Sequence, residues 1–123
     1  MRTLFTTDAV HPRNRYELWH EVACKAIIGH ESRPKDRPRF EATLKGTSLA
    51  DIGIVAFESA PMDAARTARN IADAPNDSLL VCKQLHGELA FEQSGRQVFL
   101  TPGAMTLIDP QRPYTAKFAE RTG

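Results

Sequence analysis

The sequence predicts a mostly β domain of jelly-roll type, with one α-helix ahead of the strands. Three observations carry this. After Arg39 the chain breaks into segments of 4–9 residues separated by turn signals, the pattern of a β-sandwich or barrel. Gly87, Gly95 and Gly103 fall at equal steps of eight residues, about the length of one strand with its turn. Before Arg39 the periodicity is helical instead.

The helix is read first. Leu18, Trp19, Val22, Ala23, Ala26 and Ile27 form an apolar stripe, with Glu17, His20, Glu21 and Lys25 off it. Pro12 suits a first turn, where its missing N–H costs nothing, and Gly29 suits a stop. The helix is expected from about Pro12 to about Ile28, with Trp19 docked on the β part. Residues 31–39 follow, with Pro34 and Pro38 and four basic residues, Arg33, Lys35, Arg37 and Arg39. Such a run suits an anion- or nucleic-acid-binding patch. Glu31 and Asp36 dilute its charge, however, and the prolines favour a solvated connector.

Strands are expected over Phe40 to Thr47, Gly53 to Ser59, Asp63 to Ile71, Ser78 to His86, Glu88 to Gln93, Gln97 to Leu100, Ala104 to Ile108 and Tyr114 to Phe118. The clearest hairpin turns at Ser94-Gly95. Leu89 and Phe91 alternate with other residues before it, and Val98 and Leu100 after it. Pro102-Gly103 suits a tight turn, and residues 73–77 read as a loop. The domain divides into a helical segment and linker over 1–38 and a barrel over 39–123, one folding unit overall.

The ordered set Leu85-x-Gly87, Gln93-x-Gly95-Arg96, Leu100-x-Pro102-Gly103, Leu107-x-Asp109 and Arg112-Pro113-Tyr114 resembles the cupin-like N-terminal regulatory domain of AraC/XylS-type transcription regulators. The Trp19 helix leading into Phe40-Glu-Ala-Thr-Leu44, and the stretch Arg66-Thr-Ala-Arg69, agree with it. The resemblance implies a cupin-like jelly roll, or double-stranded β-helix, that binds a small effector or mediates dimerisation. It also implies that DNA is bound by a separate C-terminal pair of helix-turn-helix motifs. The sequence reaches Gly123 before any such helices and before the closing strands of the sensor domain, so a fragment or truncated form is expected.

Other function classes fare worse. Sixteen Lys and Arg against fifteen Asp and Glu leave a formal charge of +1, without the basic excess usual in a nucleic-acid binder or a lipid-surface binder. No apolar run is long enough to cross a bilayer, and residues 1–10 lack the apolar core of a signal peptide, so a cytoplasmic protein is expected. Cys24 and Cys82 fit no metal or redox spacing and read as reduced, buried apolar side chains. Catalytic cupins need several converging His and Glu ligands. Here the slot after Leu85 holds only His86 and Glu88, and the later position reads Ala104-Met105-Thr106-Leu107. His11, His20 and His30 lie in the N-terminal part. No nucleophile elbow, phosphate loop or H-E-x-x-H is present. No metal, no cofactor and no catalysis are expected. A small stand-alone cupin enzyme and a non-regulatory jelly-roll binding module remain as alternatives.

Five residues are candidates for a ligand site: Arg66, Arg69, Gln84, His86 and Phe91. An inward Arg would suit a carboxylate effector. Arg66 and Arg69 differ by an odd step, so a regular strand turns at most one of them inward. Gln84 and His86 share a face, and Phe91 suits a pocket wall or plain core. A homodimer is expected, because an incomplete barrel leaves a strand edge open. The competing expectation is that Leu4 to Thr7 folds back and covers the edge within one chain.

Overall fold

A computed structural model describes residues 1–119. Its strands are β1 (Arg2–Thr6), β2 (Glu31–Pro34), β3 (Ala42–Leu49), β4 (Ile52–Ser59), β5 (Met62–Arg66), β6 (Leu80–Lys83), β7 (Leu89–Gln93), β8 (Arg96–Leu100), β9 (Met105–Ile108) and β10 (Tyr114–Phe118). Its helices are α1 (Arg15–Ala26) and the short α2 (Ala68–Asp73). The strands form a five-stranded sheet in the order β2-β5-β10-β7-β8, a three-stranded sheet β1-β3-β4 and a pair β6-β9. The fold is mostly β and cupin-like, as the sequence predicts.

The five-stranded sheet is layered by register. Met62, Phe118, Leu89 and Leu100 stand side by side across β5, β10, β7 and β8. Ala64, Ala116, Phe91 and Val98 form the next row on the same face, because side chains repeat every second residue. All but Ala64 and Val98 are buried, and those two pack against the buried cluster. The third row is Arg66, Tyr114, Gln93 and Arg96. The inner face therefore changes from apolar to polar at one end of the sheet.

The evenly spaced glycines have a backbone reason. Gly87, Gly95 and Gly103 have φ of 69°, 78° and 91°, the left-handed region that side chains disfavour. Ser94, at φ 54°, precedes Gly95, so the β7–β8 hairpin turns through two left-handed residues as a two-residue type I′ loop does.

Trp19 is 1% exposed and anchors α1 as the stripe predicts. Its ring lies 6.4, 6.1 and 5.8 Å from those of Phe5, Phe40 and Phe57. The helix rotates slightly from the predicted face, however. Tyr16 and Ala23 join Trp19 in the core, while Leu18 is 39% exposed.

Three expectations are corrected. The predicted strand Asp63 to Ile71 ends at Arg66, and α2 follows. Thr67 caps α2: its hydroxyl accepts from the Asn70 N–H at 3.2 Å, and the Asn70 side-chain oxygen accepts from the Thr67 N–H at 2.9 Å. This reciprocal pair ends the strand. The connector over 31–39 contains β2, antiparallel to β5. Pro34 is tolerated because β2 is an edge strand. Lys35, Arg37 and Arg39 meet carboxylates, Lys35 on Asp63 at 3.1 Å, Arg37 on Glu17 and Arg39 on Asp36 at 3.9 Å. Finally, the segment before the helix is itself a strand, in line with the competing expectation that Leu4 to Thr7 folds back within one chain. β1 pairs with β3 within the same chain, with a register shift between Thr3 and Phe5. Leu4 lies over Gly46, where a Cβ would stand 2.8 Å from its Cδ1.

Candidate ligand-binding site

The polar end of the five-stranded sheet opens into a groove of about 420 Å³. Its walls come from the end of β5 into α2 (Arg66, Thr67), the β7–β8 turn (Gln93, Ser94) and the start of β10 (Pro113, Tyr114). The three segments meet because Tyr114 is in register with Arg66 on one side and Gln93 on the other.

Arg66 is 0% exposed and holds this corner together. Its Nε donates to the Pro110 carbonyl at 2.8 Å, Nη1 to Gly29 at 2.6 Å and Nη2 to Ala74 at 2.7 Å. Three carbonyl dipoles thus solvate a buried cation, which would otherwise be costly to desolvate. Gln93 ties the next loop. Its amide nitrogen donates to Asp109 and Arg112 carbonyls at 2.7 and 3.1 Å, and its oxygen accepts from the Asp109 N–H at 3.2 Å.

Tyr114 is the aromatic wall, its ring 5.3 Å from that of Phe91. Burial raises the Tyr114 phenol above its ordinary value; the Arg66 cation opposes this and Cys82 adds to it. Burial likewise raises the Cys82 thiol.

The five sequence candidates are distributed as follows. Arg66 lies at the groove with its guanidinium engaged by carbonyls. Arg69 sits on α2, exposed, 3.9 Å from Asp73. Phe91 is buried behind Tyr114. Gln84 is buried past the end of β6, where its amide donates to the His86 carbonyl at 2.7 Å and its backbone pairs with Gly103 and Ala104. His86 is exposed. Gln84 and His86 thus belong to the β6–β9 side, and neither lines the groove. Tyr114, Gln93, Ser94 and Thr67 were not among the candidates. Tyr114 and Gln93 did stand in motifs visible in the sequence, but only the register joins them.

A second polar cluster contains none of the groove-lining residues. Among the described residues, His20, Cys24 and His30 bring one potential ligand atom each within 4.8 Å of the others. Cys24 is therefore placed among imidazoles, not in the apolar packing expected of it. Cys82 does pack on the core.

Among the described residues no helix is long and apolar enough to cross a membrane. Residues 19–122 match the AraC-binding-like domain family. No curated protein matches the chain. The fold is similar to that of a solved structure, the AraC-like transcriptional activator CuxR, with a TM-score of 0.80 at 20% identity. The similarity covers 96% of this chain and 44% of that one, so the chain spans less than half the length of that protein.

Proposed function

The chain belongs to the AraC-binding-like domain family, and from that premise we propose that it is the effector-sensing and dimerisation part of an AraC-type transcription regulator. The DNA contacts are made by a different part of that regulator. The role is binding, not catalysis, and the protein is cytoplasmic.

The observation that carries the sensing role is the change of the inner face from apolar to polar at the groove. Small-molecule sites combine an apolar wall with a few fixed polar groups. Tyr114, backed by Phe91, supplies the wall. Ser94 supplies a hydroxyl, beside Thr67 and Gln93, whose side chains are already tied within the fold and keep only acceptor capacity, on elements held by the Arg66 and Gln93 hydrogen bonds. The effector class is a small polar molecule with a flat or apolar face. Arg66 holds the site's frame and Arg69 follows the groove-lining Ala68 on α2, while Gln84 and His86 act on the β6–β9 side. To test this, the chain is incubated with the low-molecular-weight fraction of a cell extract, and retained molecules are identified by mass spectrometry. A molecule retained by the chain and lost in Tyr114→Ala supports the reading. Retention no greater than on an unrelated protein, or unchanged in Tyr114→Ala, rejects it.

Dimerisation is supported by a different surface. Leu79, Val81, Leu85, Met105 and Leu107 are all exposed on or beside β6 and β9, with Val81 and Leu107 directly paired. An apolar face of this kind, interrupted by Lys83 opposite Met105, marks an interaction surface.

A further inference from the structure

We propose that His20, Cys24 and His30 form a binding site for a borderline-to-soft transition-metal ion, of the Zn²⁺ or Cu⁺ kind, with two nitrogens and one sulfur as protein ligands. The site lies where α1 runs into β2, and none of its three residues lines the effector groove.

The spacing of the donor atoms is the first argument. Cys24 Sγ stands 3.5 Å from His20 Nε2 and 3.7 Å from His30 Nδ1. A tetrahedral metal with an M–S bond of about 2.3 Å and M–N bonds of about 2.0–2.1 Å needs S···N edges of about 3.6 Å. The two edges from Cys24 thus already match ligation, while the two imidazole nitrogens, within 4.8 Å of each other, close to about 3.3 Å on the ion. His20 and Cys24 are four apart on α1, hence on one helical face, and His30 returns from the loop beyond the helix.

The orientation of His20 is the second argument. Tyr16 has one hydroxyl hydrogen, and it goes to the Ser32 carbonyl at 2.6 Å. Ser32 Oγ, 2.6 Å from the same phenol oxygen, must then donate to it. Ser32 Oγ is left to accept from His20 Nδ1 at 3.0 Å. The Nε2 lone pair therefore faces Cys24. A metal-binding His is oriented in this way, with its distal N–H held by an outer hydrogen bond.

Binding forms one M–S and two M–N bonds and releases the Cys24 proton to solvent. His30 Nδ1 donates to the Ile28 carbonyl at 2.7 Å, so ligation moves that ring proton to Nε2 and turns the carbonyl away. The N₂S donor set selects Zn²⁺ or Cu⁺ over Mg²⁺ or Ca²⁺, which prefer oxygen.

The test uses the full chain, reduced and stripped with a chelator. Zn²⁺ and Cu⁺ are titrated separately against chromophoric competitors, and Co²⁺ serves as the spectroscopic probe. The expected result is one ion per chain for at least one of Zn²⁺ and Cu⁺, with a thiolate-to-cobalt charge-transfer band in the near ultraviolet. Cys24→Ser abolishes that band. His20→Asn, His30→Asn and Ser32→Ala each weaken binding at least about tenfold, whereas Cys82→Ser leaves it unchanged. On the unsubstituted chain, the bound ion protects Cys24 but not Cys82 from alkylation, a readout independent of whether any variant folds. The proposal is overturned if neither ion binds stoichiometrically, if the cobalt band survives Cys24→Ser, or if the ion fails to protect Cys24.

Discussion

Arg66 donates through Nη1 to the carbonyl oxygen of Gly29 at 2.6 Å, joining the end of β5 to the segment that leaves α1. The same guanidinium reaches Ala74 beyond α2 and Pro110 before β10. One side chain thus ties four separate parts of the chain. Removing it leaves three carbonyls without their donor, and each such loss costs about 1–3 kcal/mol where no water replaces it. Arg66→Ala is expected to lower stability by about 3–5 kcal/mol, the range for breaking a buried charged network. Arg66→Lys is expected to recover little, since one ammonium cannot span three acceptors arranged for a planar fork. Chemical denaturation of the two variants checks both; a midpoint close to the unsubstituted value in Arg66→Lys contradicts the argument.

Trp19 offers a graded test of the α1 dock. Its ring is buried among Phe5, Phe40 and Phe57, and its indole N–H has no hydrogen-bond partner. Trp19→Ala is expected to cost about 3–5 kcal/mol. Trp19→Phe keeps most of the apolar volume and removes the unpaired donor, so it is expected to cost about 1–2 kcal/mol, with the desolvation relief partly offsetting the smaller ring. Equal losses in the two variants would show that packing around this site does not depend on ring volume.

How far these features can be read from sequence depends on the range of their partners. The Trp19 stripe and the strands after Arg39 are local patterns, and they were legible. The eight-residue glycine step was legible too, because three turns need the same left-handed backbone. Arg66 could be singled out as a candidate, but its partners are backbone carbonyls at Gly29, Ala74 and Pro110, and a carbonyl has no sequence identity. β1 and β2 were missed as strands because each is a short edge whose pairing is decided by β3 and β5 far along the chain. α2 was missed because six residues carry little periodicity; its only signal was Thr67-x-x-Asn70, with Asn in place of the usual Glu or Gln. His20 and Cys24 at a four-residue step were visible, but nothing local says that His30 returns to them.

The β7–β8 turn carries a mild strain that can be relieved. Ser94 sits at φ 54° ahead of Gly95 at φ 78°. Asn tolerates the left-handed region better than Ser, and Asn-Gly is the preferred pair for a two-residue hairpin of this kind. Ser94→Asn is expected to raise stability by about 0.5 kcal/mol, visible as a small upward shift in Tm. Because Ser94 lines the groove, the same variant in the extract-retention experiment reports whether its hydroxyl matters to effector binding.

Tyr114 sets an alkaline limit on stability. Burial holds its phenol above the ordinary value of 10.0, and Cys82 is held above 9.0 for the same reason. A group whose folded pKa is raised binds its proton more tightly when folded. Its stabilising contribution is present below the unfolded pKa and is lost as pH rises through the folded one. Stability is therefore expected to fall above about pH 9–10, first through Cys82 and then through Tyr114. Tyr114→Phe is expected to flatten the upper part of this decline, and Cys82→Ser the lower part. Denaturation midpoints measured between about pH 8 and about pH 11 decide it; a decline as steep in Tyr114→Phe as in the parent chain assigns the alkaline loss to other groups.

The final prediction concerns the β6–β9 face. Val81 and Leu107 form a cross-strand pair, and they are 57% and 62% exposed. Leu79, Leu85 and Met105 extend the apolar surface around them, with the exposed Lys83 set among them opposite Met105. β1 already pairs with β3 within one chain, so an exposed β3 edge is not what a second copy would cover. The apolar face of β6–β9 remains as the stronger reason for self-association. A two-fold dimer places each residue near its own counterpart or a close neighbour. Val81→Glu then sets two carboxylates into an apolar interface, with desolvation and like-charge repulsion acting together. Light scattering at micromolar concentration is expected to give a dimer mass for the parent chain and a monomer mass for Val81→Glu. The folded midpoint of the variant should be little changed under conditions where the parent is also monomeric, since the side chain is exposed within one chain. A monomer mass for the parent would reject the dimer outright. A Val81→Glu variant that stays dimeric would move the interface elsewhere, with the exposed Leu49, Ile52 and Val55 at the β3–β4 tip as the next apolar surface to substitute.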